Sequence, residues 1–153
     1  MSAKWLRSFC GNRRVSDHIQ AWDQYVEGLQ LCWSFSVSKE YMNTYGKLIG
    51  DFNPVHTDAE FAKVKGFDAP LIYGMLLSGQ MSRLIGQELP DKHAVLTGVR
   101  IDFMQPGYAG DNLRFDAELV TKSHSSGGLE FKCRITRDDI LLCRGKVMAV
   151  WRQ

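Results

Sequence analysis

The stretch Leu113-Arg114-Phe115-Asp116-Ala117-Glu118-Leu119 decides the fold. Its apolar residues fall on odd positions and its charged residues on even ones. A strict period of two sends alternate side chains to opposite sides, as in a half-buried β-strand. The same pattern recurs on either side of it. Leu129, Phe131, Cys133 and Ile135 alternate with Glu130, Lys132 and Arg134. Val95, Val99, Ile101 and Phe103 are placed on one face, with Arg100 and Asp102 between them. Leu141, Cys143, Val147, Ala149 and Trp151 form a fourth set, and Leu29, Leu31, Trp33, Phe35 and Val37 an earlier fifth.

Turn residues separate the later strands. Pro106-Gly107 and Gly110-Asp111, then Ser125-Ser126-Gly127-Gly128, then Asp138-Asp139 punctuate the pattern. Such short breaks predict sequential, antiparallel strands, at least five in one sheet. Residues 38–90 behave differently. Ser38 is placed to cap a helix that buries Tyr41, Met42, Tyr45, Leu48 and Ile49. Thr57-Asp58-Ala59-Glu60 reads as a capping box that opens a short helix through Phe61 and Val64. Leu71 to Leu89 is apolar nearly all round, so it predicts a central helix buried on most sides. Gly74, Ser78, Gly79 and Gly86 within it allow close backbone approach, and Pro90 ends it. Residues 17–28 fit either a short helix or an extended lead-in. The fold class is α+β: an antiparallel sheet wrapped around one long central helix.

Composition sets the outer limits. The chain has 153 residues, 44% hydrophobic and 24% charged, ordinary values for one folded domain. No run of 18 apolar residues is present to span a bilayer. The net charge of +2 is unevenly spread. Lys4, Arg7, Arg13 and Arg14 lie in residues 1–16, which hold no acid; the remainder has 15 basic residues against 17 acidic. The expectation is a basic, flexible tail over 1–16 and a single domain over 17–153, with no nucleic-acid-binding surface on the body. Cys10, Cys32, Cys133 and Cys143 show no C-x-x-C spacing, and no Cys/His cluster has metal-ligand spacing. They read as thiols of a reducing compartment, and the location expected is cytoplasmic, or mitochondrial if the tail serves as a presequence.

One loop concentrates polar and conformationally restricted residues: Gly50-Asp51-Phe52-Asn53-Pro54-Val55-His56. Gly50 permits positive φ and Pro54 fixes φ. A turn there can bring the Asp51 carboxylate and the His56 imidazole to either side of one water and move protons near neutral pH. Asn53 can fix the loop through backbone bonds or support a catalytic group. Spacing alone also fits an ordinary Asp-x-Asn-Pro turn with a backbone-satisfying histidine. His18, His93 and His124 read as solvated side chains.

This loop, followed by Asp58 and Phe61-Ala62, resembles the signature of the MaoC-like dehydratases, which include the (R)-specific, or type 2, enoyl-CoA hydratases. Pro70-Leu71-Ile72-Tyr73-Gly74-Met75-Leu76 resembles the start of that family's central helix, and Phe103-Met104-Gln105-Pro106 with Gly110-Asp111 its following strand and turn. The resemblance covers roughly residues 25–151 and implies the hotdog fold. It implies Asp51 and His56 as the catalytic pair, activating a water for reversible addition to a trans-2-enoyl thioester. The product is the (R)-3-hydroxyacyl thioester. It further implies Asn53 as support and the Gly74 N–H as the group that binds the thioester carbonyl. Tyr73, Met75 and Pro54 are candidates to line the substrate pocket. No metal or redox cofactor is implied; coenzyme A or acyl carrier protein enters as the substrate's carrier. The family usually pairs two such units, so a homodimer is expected. Two positions depart from the common pattern: Ile49 replaces Ser or Thr, and Tyr73 replaces His. Tyr73 is either a substrate-facing hydroxyl or a buried ring satisfied elsewhere. Two further readings keep the scaffold: a thioesterase, and a non-catalytic acyl-thioester-binding module. Arg83, Arg100 and Arg114 are candidates to meet the carrier's phosphates.

Overall fold

The computed structural model describes residues 21–152. The basic segment 1–16, Cys10 and His18 lie outside them. Five strands form one antiparallel sheet: β1 (Gln30–Phe35), β2 (Ala94–Phe103), β3 (Leu113–Ser123), β4 (Gly128–Arg137) and β5 (Ile140–Trp151). Their spatial order is β1-β3-β4-β5-β2. Phe115, Leu119, Phe131, Ile135 and Val147 are fully buried on the inner face. That face is where period two placed them. The lead-in resolves to a 3-10 turn, Ala21–Gln24.

The strands after the helix are not all sequential neighbours. β3, β4 and β5 run as hairpins, but β2 pairs with β5 and its connection crosses the end of the sheet to reach β3. That crossing is held by backbone: Met104 N–H donates to Leu142 O at 2.8 Å, and Gly110 N–H to Val37 O at 2.9 Å. Asp111 pins it further by accepting from Tyr108 N and from Arg137, both at 2.8 Å.

Bulges correct two of the predicted faces. The β2 register shifts between Leu96 and Gly98. Ala94 and Leu96 therefore pack on the core before the shift, and Ile101 after it. Val95 turns outward and is mostly exposed. In β5 a shift opposite Ile135/Thr136 lets adjacent Leu142 and Cys143 both be buried.

Three short helices cover the segment before the central one. α1 (Lys39–Ile49) starts at Ser38, whose side chain accepts from Tyr41 N, and ends at left-handed Gly50, φ 72°. It buries Met42 and Gly46, but Tyr41 is 63% and Leu48 80% exposed, and Ile49 is also largely exposed. The expected burial of these three fails because α1 meets the core along one narrow stripe. α2 (Pro54–Thr57) follows, then α3 (Ala59–Val64). The α3 cap is Asp58, accepting from Glu60 and Phe61 N–H, and not Thr57, which ends α2.

The central helix begins later than its apolar run. Leu71 makes an isolated bridge with Tyr108, and α4 spans Gly74–Arg83 before a π-helical stretch, Leu84–Glu88. Leu77, Met81, Leu84 and Ile85 are buried against the sheet. The opposite side is open: Met75 is 61% exposed, and a Cβ at Gly79 or Gly86 would meet nothing within 4 Å. Close approach is real only at Gly74, where a Cβ would fall 2.7 Å from the Phe103 ring.

Candidate active site

The loop between α1 and α2 is built from its own polar side chains. Gly50 ends α1, and Asp51 N–H donates to Gly46 O at 3.1 Å. The Asp51 Oδ1 accepts from Asn53 N at 3.0 Å, and Asn53 Oδ1 accepts from Val55 N at 3.1 Å. Asn53 is thus the N-cap of α2, with Pro54 in its first turn, where the missing N–H costs nothing. Its side chain serves the loop backbone directly. Asp51 Oδ2 meets no donor among the described residues.

One turn of α2 presents His56. Its Nδ1 lies 2.8 Å from Leu71 O. A carbonyl oxygen only accepts, so Nδ1 carries the hydrogen, and in the neutral ring Nε2 keeps its lone pair. Leu71 N in turn donates to Val55 O at 3.0 Å, so residues 55–56 and 71 are tied twice. Asp51 and His56 make no hydrogen bond or ion pair with each other. Both are half-buried, so each keeps some access to solvent.

Residues 71–74 close the site. Tyr73 is buried, 3% exposed. Its hydroxyl donates to Asp51 O at 2.8 Å, and its ring stacks on His56 with centroids 4.0 Å apart. Burial pushes its pKa up, and the nearby Asp51 charge adds to the shift. Gly74, the next residue, opens α4. Its N–H, in the first turn, has no acceptor within the helix and sits at the positive end of the helix dipole. Met75 and Pro54 both lie exposed, one beside this helix start and the other on α2. The loop and the start of α4 thus bring together Asp51, Asn53, His56, Tyr73 and Gly74.

Three participants were given no role in the site from the sequence. The Leu71 carbonyl acts through backbone, which side-chain patterns do not reveal. Phe103 of β2 forms the wall against Gly74. Gly46 makes room for Tyr73; a glycine in mid-helix was the available signal.

The remaining candidates lie elsewhere. His124 Nδ1 accepts from Trp22 Nε1 at 3.1 Å, and His93 packs on Trp151. Arg83 pairs with Glu88 at 2.7 Å and lies over the Trp33 ring; Arg114 pairs with Asp116 at 2.9 Å. Arg100 has no ion pair among the described residues. With Lys132, Arg144 and Lys146 it lines a groove of about 300 Å³ on the sheet face turned away from α4, where Asp102 pairs with Arg144 at 3.7 Å and Glu130 with Lys146 at 2.7 Å. Cys133 and Cys143 are core thiols, each pushed up to about 12 by burial. No cluster of three metal-ligating side chains occurs, and no helix is long and apolar enough to cross a membrane, among the described residues.

A model of the MaoC like domain matches residues 27–136. The chain belongs to the MaoC-like dehydratase family. It is 37% identical over 76 residues to the (R)-specific enoyl-CoA hydratase of Aeromonas caviae, covering 50% of this chain and 57% of that protein. It is 28% identical over 117 residues to a mitochondrial 3-hydroxyacyl-[acyl-carrier-protein] dehydratase of Arabidopsis thaliana, covering 74% of this chain and 69% of that one. The structure of the A. caviae (R)-hydratase superposes with a TM-score of 0.77 at 25% identity, over 90% of this chain and all of the other. The unliganded R-hydratase of Pseudomonas aeruginosa shares the fold, with a TM-score of 0.78 at 22% identity over 86% and 85% of the two chains. The five-stranded sheet around α4 is the hotdog fold, and the sequence match to the A. caviae protein spans little more than half of that protein's length.

Proposed function

We propose that this MaoC-like chain is an (R)-specific enoyl-thioester hydratase, working in reverse as a 3-hydroxyacyl-thioester dehydratase. One observation carries the reading: His56 Nδ1–H is committed to Leu71 O, so the neutral ring keeps Nε2 as an acceptor, five residues from Asp51 in the same loop and stacked on Tyr73, the residue before the helix-start amide of Gly74. A water held between Nε2 and Asp51 Oδ2 donates a hydrogen to each and turns its oxygen toward C3 of the enoyl group. As the C3–O bond forms, the pair takes one proton from the water and returns one to C2. The π electrons pass meanwhile onto the thioester oxygen, where the Gly74 N–H and the α4 dipole stabilise the charge. The net change is addition of H and OH, with nothing oxidised or reduced.

Charge supports an anionic carrier. Two cations of the outer groove, Arg100 and Lys132, have no ion pair among the described residues and leave it positive on a body that is otherwise slightly acidic, which favours approach of coenzyme A or an acidic carrier protein. The active form in this reading is a homodimer. β2 ends the sheet with an edge that pairs with no other strand among the described residues, and Val99, Phe103 and Met104 expose apolar surface along it. A second copy pairing along β2 under a two-fold axis covers both. Phe103 touches Gly74, so that interface abuts the site.

Hydration of crotonyl-CoA and longer enoyl-CoAs, followed as loss of the conjugated absorbance with chiral analysis of the product, tests the proposal. Asp51→Asn and His56→Ala are each expected to lower kcat by about 10²–10⁴-fold with the melting temperature kept. Wild-type rates in both variants would remove the catalytic assignment. Release of free thiol without hydration would select a thioesterase instead.

A further inference from the structure

We propose that Tyr73 is the positioning residue that holds Asp51 and His56 in register, with Gly46 as the socket that lets it do so. The inference rests on the hydratase reading and assigns a role to a position where this chain departs from the common pattern of its family.

Three contacts converge on one buried side chain. The hydroxyl donates to Asp51 O at 2.8 Å, which fixes the backbone carrying the carboxylate. The ring stacks on the imidazole with centroids 4.0 Å apart and a 27° interplanar angle, so it limits rotation of His56 away from Leu71 O. Tyr45 of α1 also meets the ring, edge-on with centroids 5.4 Å apart. Tyr73 is also bonded directly to Gly74. One side chain therefore sets the acid–base pair relative to the amide that meets the thioester oxygen. Misplacing such groups by about 1 Å can cost about 10²-fold in rate.

Gly46 explains how a tyrosine fits here. A Cβ at position 46 would overlap the Tyr73 hydroxyl oxygen, stand 3.2 Å from Tyr73 Cζ and 3.0 Å from Asp51 O. A glycine in mid-helix lowers helix propensity, so its presence in α1 needs a reason. The Tyr73 hydroxyl and the Asp51 carbonyl fill the space that a side chain would take.

The test is a mutant cycle read in kcat and KM. Tyr73→Phe keeps the stack and loses the hydroxyl. It is expected to lower kcat about 10-fold, with KM within about 2-fold and the melting temperature nearly kept. Gly46→Ala is expected to lower kcat further, because it displaces the whole tyrosine. Placed in the Tyr73→Phe background, Gly46→Ala is expected to cost far less, since the overlapping atom is gone. Wild-type kcat in Tyr73→Phe, or an undiminished Gly46→Ala loss in the double variant, overturns the proposal. The imidazole ¹⁵N shifts of His56 give a readout that needs no turnover. The Nδ1–H pattern is expected in wild type and an averaged one in Tyr73→Leu. Identical patterns would overturn the positioning role. If the wild type itself hydrates no enoyl thioester, the hydratase reading falls, and these shifts still decide whether Tyr73 holds His56.

Discussion

The sheet and the segment that carries the site are built on different physics. In β3 from Leu113 to Leu119 and in β4 from Leu129 to Ile135 every second side chain is sealed; Leu113, Phe115, Phe131 and Ile135 expose nothing. In α1, α2 and α3 only Met42, Gly46 and Ala62 are buried, while Leu48 and Val64 stand out in solvent. The helical segment is held by hydrogen bonds at its breaks: Ser38, Asn53 and Asp58 as caps, Tyr73 on Asp51, and His56 on Leu71. Hydrophobic burial is large and non-directional, whereas hydrogen bonds are individually small and fix geometry. The sheet therefore supplies stability, and the helical segment supplies placement.

Five measurements can break or sharpen that division. The largest effect is expected for Phe131→Ala, at about 3–5 kcal/mol of stability by denaturant titration, because a ring buried on all sides leaves a cavity. A loss below about 1 kcal/mol would mean the sheet is not the store of stability. Next comes alkaline pH. Cys133 and Cys143 are pushed from 9.0 to about 12 by burial. Both states bind the proton below 9, and between 9 and 12 the folded state holds it more tightly than the unfolded one. Stability should fall as pH rises through that window, and Cys133→Ala/Cys143→Ala should flatten the fall. Alkylation should reach half-buried Cys32 before either core thiol. A smaller loss, about 1 kcal/mol, is expected for Asp58→Ala, the cap of α3. An equal loss to Phe131→Ala would put the helical segment in the core and end the contrast. The smallest effect belongs to Lys63→Gln. Its 2.9 Å pair with Glu60 is largely exposed, so the melting curve should move by less than about 0.5 kcal/mol.

The same contrast explains what the sequence revealed. Leu113 to Leu119 read correctly because both its neighbours are strands and the whole inner face is sealed. The β2 phase slipped at one extra residue near Thr97, which no alternation pattern marks. Tyr41, Leu48 and Ile49 were read as core because an apolar residue on a helix looks the same whether or not anything covers it. The pairing of β2 with β5 was missed because loop length favours neighbours, and Gly110-Asp111 serves a crossing instead of a hairpin. Within the site, Asp51, Asn53 and His56 were legible since seven consecutive residues hold them. Leu71 was not, because a carbonyl 15 residues away joins the site only after folding.

The partner of β2 has a consequence for how the chain acquires its shape. β2 is complete by Phe103, yet its neighbour β5 begins only at Ile140 and ends at Trp151. While the chain emerges in order, β2 waits with both edges open until the last described strand arrives. Phe103, the wall behind Gly74, waits with it. Such long-range closure slows folding and exposes an adhesive edge meanwhile. Shortening the chain within β5 is therefore expected to leave the 10-residue β2, about 33 Å long at roughly 3.3 Å per residue, without its partner, and so to lose the Phe103 wall of the site although the cut lies outside the site itself.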